Sequence, residues 1–159
     1  MKRKRDSQRT KFWKALQIVL KAHPETEMSL DDVTAFITKV TQSAWFLRRH
    51  PAITTIIKDG RARRSYGWIP RGRSTWEYRV PVFARKKPIL LQLISHSVIP
   101  EDASWHGREF AKTYLELLER WAGESQAETA RKAFVELRVR HKNKRRSALE
   151  IVQQRLGMR

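Results

Sequence analysis

The residues whose spacing suggests chemistry are Gln92, Leu93, His96 and His106. Positions 92 to 96 read Gln-Leu-Ile-Ser-His, and a further helical stretch opens with His106-Gly107-Arg108-Glu109-Phe110. On a helix, residues four apart share a face, so Gln92 and His96 stand one above the other and His106 closes on them from the next helix. That is the layout of an H-E-x-x-H zinc hydrolase, in which histidines and a third ligand hold the metal while the glutamate takes a proton from bound water. The chemistry is mostly missing. Leu93 cannot accept a proton, and a neutral carboxamide such as Gln92 is a poor zinc ligand. No catalytic residue is therefore assigned. His96 and His106 are the candidate metal ligands, with Gln92 a weak third, and zinc is the one cofactor to test. The plainer reading, which we favour, makes both histidines hydrogen-bonded packing residues between two helices, with no cofactor.

The elements that position these residues follow from hydrophobic spacing. Pro88 to about Pro100 reads as an apolar helix, followed by a short acidic loop. From His106 a second helix carries Phe110, Tyr114, Leu117 and Trp121 at helical intervals, which turns His106 inward. Upstream, Asp6 or Ser7 caps a helix running to about His23, with Phe12, Leu16, Val19 and Leu20 buried and Arg9, Lys11, Lys14 and Lys21 on the other face. Ser29 opens a second helix with Asp32 three residues on, close to a capping box. Trp45, Phe46 and Leu47 anchor its end, and His50 faces solvent before Pro51. Three strands then follow: Ile53 to Ile57, a return from Arg61 to Trp68 after an Asp59-Gly60 hairpin turn, and Trp76 to Phe83. Ser125 caps a later helix with Ala130, Ala133, Phe134 and Leu137 inward.

Taken together, the run from Tyr78 to Phe110 resembles a family of small zinc metallohydrolases of actinobacteria and their phages. That family has a strand ending in Pro, a short connection, an H-E-L-A-H helix, a Thr-Pro turn and an H-G-x-x-F helix, an arrangement similar to the SprT-like DNA-associated zinc proteases. Arg5-Asp6-Ser7-Gln8-Arg9, Ser29-Leu30-Asp31-Asp32-Val33, Trp45-Phe46 and Asp59-Gly60-Arg61 fit the same order, so the likeness runs to about Leu137. It implies a zincin-like scaffold in which His96 falls on the second ligand and His106 on the third, while Gln92 replaces the first ligand and Leu93 the catalytic glutamate. The implied protein is a degenerate relative, a pseudoenzyme that kept the scaffold.

Charge is the other strong signal. The chain has 159 residues, 34 Lys plus Arg against 16 Asp plus Glu, and a formal net charge of +18. Such an excess favours polyanions, since each cation that meets a phosphate releases counterions. Arg61, Arg63, Arg64, Arg71 and Arg73, interleaved with Tyr66, Trp68 and Trp76, make the best nucleic-acid candidate, because arginine pairs phosphates and aromatic rings stack on bases. Lys142, Lys144, Arg145 and Arg146 add a dense basic run near the C-terminus, ahead of an amphipathic stretch bearing Leu149, Val152 and Leu156. The absence of cysteine excludes disulfides and thiolate metal sites. No window has the apolar length of a membrane span, and no signal peptide is visible.

The expected architecture is α+β: two N-terminal helices, a small antiparallel three-stranded sheet, the zincin-like helix pair, and C-terminal helices. Residues 1–140 form one domain and 141–159 a basic extension with a short amphipathic helix. The expected function is nucleic-acid binding, to DNA or RNA, by a cytoplasmic protein without hydrolase activity. One alternative is a SprT-like zinc peptidase with an altered ligand set, recruiting Glu101, Asp102 or Glu109. Another is a phage-encoded protein-interaction module acting on a host factor.

Overall fold

A computed structural model describes residues 6, 8–60, 67–70, 74–100 and 103–141, with backbone alone for 68–70. The fold is α+β, organised around α4 (Lys87–Val98). Every residue of this largely apolar helix from Pro88 to Ser97 is buried, as in a helix enclosed by its neighbours. Pro88 sits in its first turn, where the missing N–H costs nothing. Lys87 N–H donates to the Glu25 carboxylate at 2.9 Å. At the far end, Ile99 leaves helical geometry ahead of Pro100, as residues before proline tend to do.

Around α4 pack α1 (Arg9–Ala22), α2 (Leu30–Thr41), α5 (Arg108–Trp121) and the sheet. A short α3 (Ala44–Leu47) follows α2, and α6 (Glu124–Glu136) covers α1 and α5. Phe12 of α1 meets Phe110 and Tyr114 of α5 edge-on at ring separations of 4.8 and 5.1 Å, and Phe134 of α6 at 5.7 Å. Each such aromatic pair adds about 0.5–1.5 kcal/mol beyond its burial. The predicted Ser29 cap is present: its hydroxyl accepts from Asp32 N–H at 3.1 Å and donates to the Asp32 carboxylate at 2.7 Å. The shorter aspartate thus meets the serine hydroxyl, where the glutamate of a capping box would reach the backbone.

The sheet has three strands, β1 (Thr54–Lys58), β2 (Gly67–Pro70) and β3 (Thr75–Arg79), in the order β1-β3-β2. It is mixed, which corrects the antiparallel expectation: β1 runs parallel to β3, and only β2 is antiparallel to it. Asp59-Gly60 therefore makes no hairpin between β1 and β2, which are not neighbours. Gly60 serves close packing instead. A Cβ there would lie 2.6 Å from Pro81 Cδ and 2.8 Å from Pro81 N, while Asp59 accepts from Arg85 at 2.7 Å. Nor does β3 continue to Phe83, because Pro81 has no N–H for a ladder and Val82–Ala84 tighten into a 3-10 turn.

Three further local expectations are corrected. The α1 helix starts at Arg9, not at an Asp6 cap; Gln8 holds the capping position without a side-chain cap, and Ser7 lies outside the described residues. The helix α6 starts at Glu124 behind Gly123, whose φ of 111° suits glycine, so Ser125 is inside it. His50 is half-buried and packs on Phe46 with ring centroids 4.8 Å apart. Charge is also more locally balanced than composition suggests. Arg131 of α6 pairs with Glu119, with Glu124 at 2.8 Å and with Glu128 at 3.7 Å. The cations ahead of α4 are engaged too, Arg85 by Asp59 and Lys86 by Glu27.

Candidate functional site

Gln92, Leu93 and His96 lie along one side of α4 and line a cleft of about 310 Å³. Trp105 and His106, from the turn before α5, form the facing wall, and Asp6, Arg9 and Trp13 enter from the start of the chain. Gly67 of β2 borders it as well. The turn is tight: Gly107 N–H donates to Ser104 C=O at 2.9 Å, and a Cβ on Gly107 would stand 3.0 Å from Ser104 Cβ.

The two histidines come together as their spacing suggests. Their ring centroids are 4.8 Å apart with planes at 89°. His96 lies over Phe110 at 4.4 Å, and His106 packs against Phe110 at 4.9 Å and Phe12 at 5.4 Å. Both side chains are buried, as is Gln92.

Sequence reasoning missed the two residues that fix His106. Asp6 Oδ2 lies 2.7 Å from His106 Nδ1, and Gln8 donates its amide N–H to the His106 carbonyl at 2.8 Å. Gln8 also accepts from Arg140 N–H at 2.6 Å. With Nδ1 engaged by the carboxylate, Nε2 is the second hydrogen-bonding atom of the ring; it is buried and has no partner among the described residues. Burial pushes the imidazole below its ordinary pKa, Asp6 opposes this through a hydrogen bond and its charge, and Arg9 adds to the lowering. His106 is accordingly a neutral ring held in one orientation by Asp6. The only signal for this contact was the placing of Asp6 ahead of a helix; the partners are 100 residues apart.

Orientation of a histidine by a carboxylate is common behind metal ligands, so fit to zinc has to be judged on the donor set. Among the described residues, no group of three or more His, Cys, Asp or Glu is placed to hold a metal ion. Two imidazoles and the Gln92 amide fall one strong ligand short of the three that catalytic zinc sites use. Leu93, 2% exposed, occupies the glutamate position with a side chain that cannot take a proton. Of the carboxylates named above as substitutes, Glu109 is exposed on α5, and Glu101 and Asp102 lie outside the described residues. Among the described residues, the strong donors at the cleft are thus the two imidazoles.

The predicted nucleic-acid residues Arg61, Arg63, Arg64, Arg71, Arg73, Lys142, Lys144, Arg145 and Arg146 all lie outside the described residues. Trp76 is half-buried on β3. The cationic face of α1 is described: Arg9, Lys11, Lys14 and Lys21 are exposed. Among the described residues no helix is long and apolar enough to cross a membrane. No protein-family model, curated protein or solved structure matches the chain.

Proposed function

We propose that this is a zincin-like pseudoenzyme that binds nucleic acid in the cytoplasm through its cationic surfaces and basic ends. The net charge of +18 supplies the attraction. The observation that carries the reading furthest is the Gln8 side chain. Its bonds to His106 and Arg140 bring the two ends of the described body together beside the cleft. The basic run Lys2-Arg3-Lys4-Arg5 precedes one side of that junction, and Lys142, Lys144, Arg145 and Arg146 follow the other. Arg9 lines the cleft and Arg140 is bonded to Gln8 beside it, so cations distant in sequence stand near one another, and converging charge of one sign raises local counter-ion concentration.

The test is the salt dependence of binding to a generic duplex and to a single strand. Replacing Arg61, Arg63, Arg64, Arg71 and Arg73 with Ala should weaken binding and flatten the log–log slope by about 4 if all five meet phosphate. An unchanged slope removes those arginines from the interface. The peptidase alternative predicts stoichiometric zinc in the purified protein, lost on His96→Ala. A partner retained at high salt would favour the protein-interaction alternative, since screening weakens phosphate contacts most.

A further inference from the structure

The cleft has features that charge alone does not require. Its volume of about 310 Å³ is at the lower end of the roughly 300–1,000 Å³ range of ligand pockets, room for one ring system and little more. Its walls carry two indoles, Trp13 and Trp105, and one guanidinium, Arg9. Trp105 is 36% exposed although large and apolar, and it meets the His96 ring at 5.3 Å. An indole at the rim of a cleft is a ring of the kind on which bases stack. Below it, Gln92 and His106 each carry a buried side-chain atom, Oε1 and Nε2, without a hydrogen-bond partner among the described residues. Unsatisfied groups of this kind cost about 1–3 kcal/mol each. A ligand that brings donors and acceptors on a flat edge relieves that cost.

Resting on the nucleic-acid reading above, we propose that this cleft takes one unstacked nucleobase of a single-stranded nucleic acid. The base stacks on Trp105, its edge faces the Gln92 amide and the His106 imidazole, and its phosphate meets Arg9. The assignment follows from the combination. An aromatic wall takes any base by its π-face, an arginine suits the phosphate that comes with it, and the floor supplies neutral hydrogen-bonding groups. The exposed Lys11, Lys14 and Lys21 of the same helix add positive charge that attracts the neighbouring backbone. Metal chemistry is not needed for any of these contacts.

The experiment compares the full-length protein on a fluorescein-labelled oligothymidylate and on an abasic phosphodiester strand of equal length, by anisotropy at fixed salt. Stacking of one base is worth about 1–3 kcal/mol, so the abasic strand should bind roughly 5- to 150-fold more weakly. Trp105→Leu should close that gap with little effect on the melting temperature, because the indole is partly exposed, whereas Lys21→Gln should weaken both strands alike and keep it. Equal affinity for the two strands, or a gap that survives Trp105→Leu, overturns the base pocket while leaving charge-driven binding intact. Failure to bind either strand at low salt overturns the nucleic-acid reading together with it.

Discussion

Substituting Gln8 with methionine tests whether the start of the chain, the α5 wall of the cleft and Arg140 form one mechanical unit. Methionine keeps the length and volume of the side chain, so the change removes hydrogen bonds with little loss of packing. Two long contacts of 3.4 Å, to the Arg140 carbonyl and from Arg140 Nε, are lost, and with them the two short bonds, the amide N–H to His106 C=O at 2.8 Å and Arg140 N–H to the amide oxygen at 2.6 Å. Each typically contributes about 0.5–1.5 kcal/mol net, and the buried backbone groups left behind raise the cost, so about 2–4 kcal/mol is expected. At the usual 2–4 °C per kcal/mol for chains of this size, the melting temperature should fall by roughly 5–15 °C. Thermal unfolding followed by circular dichroism measures it, with Gln17→Met, an exposed position on the same helix, as control. A fall under about 2 °C, within the range of ordinary surface changes, would mean that water replaces Gln8 without penalty. The junction would then not be a structural unit, and the convergence argued from it would fail.

Two further outcomes follow from the structure. His106 and His50 both have pKa values lowered in the fold, each chiefly by burial, so the unfolded chain takes up protons first. Their contribution to stability is full above the unfolded value of about 6.5 and is lost as pH falls through the lower folded-state values. Urea midpoints should therefore decline just below that pH, and His106→Asn should reduce the slope; a flat profile contradicts the buried neutral ring. Gly60→Ala forces a Cβ against Pro81 backbone and ring, and should cost about 1–3 kcal/mol as overpacking. A wild-type denaturation midpoint would show that the β1 end is free to move away.

What the sequence revealed, and what it hid, divides by distance along the chain. The α4 helix and the inward-facing start of α5 were readable because a continuous apolar run and a helical stripe are local patterns, and His96 meets His106 as their spacing implied. The Ser29 cap was readable for the same reason. Strand order was not. Asp59-Gly60 carries a hairpin signal, but glycine also permits close approach, and only the non-local pairing of β1 with β3 decides between the two uses. The Asp6 contact was hidden twice over, since its partner is remote in sequence and an aspartate ahead of a helix is ordinarily explained as a cap. Glu77 was missed as well: its carboxylate is 1% exposed at the centre of the sheet, held by Lys58 at 3.3 Å and Arg79 at 2.8 Å, and nothing in an alternating strand marks one charge as the buried one.

The helix α6 gathers its ion pairs near its start. Carboxylates gather at its first turns around Arg131, while Arg138 and Arg140 follow its last turn. Glu124 in the first turn matches the helix dipole, whereas the last turn ends on Glu136 and holds no basic residue. If the chain binds a polyelectrolyte as proposed, Arg138 and Arg140 beyond α6 would draw it toward the junction with α1. Docking angles would then be selected during diffusion, before any side chain makes contact.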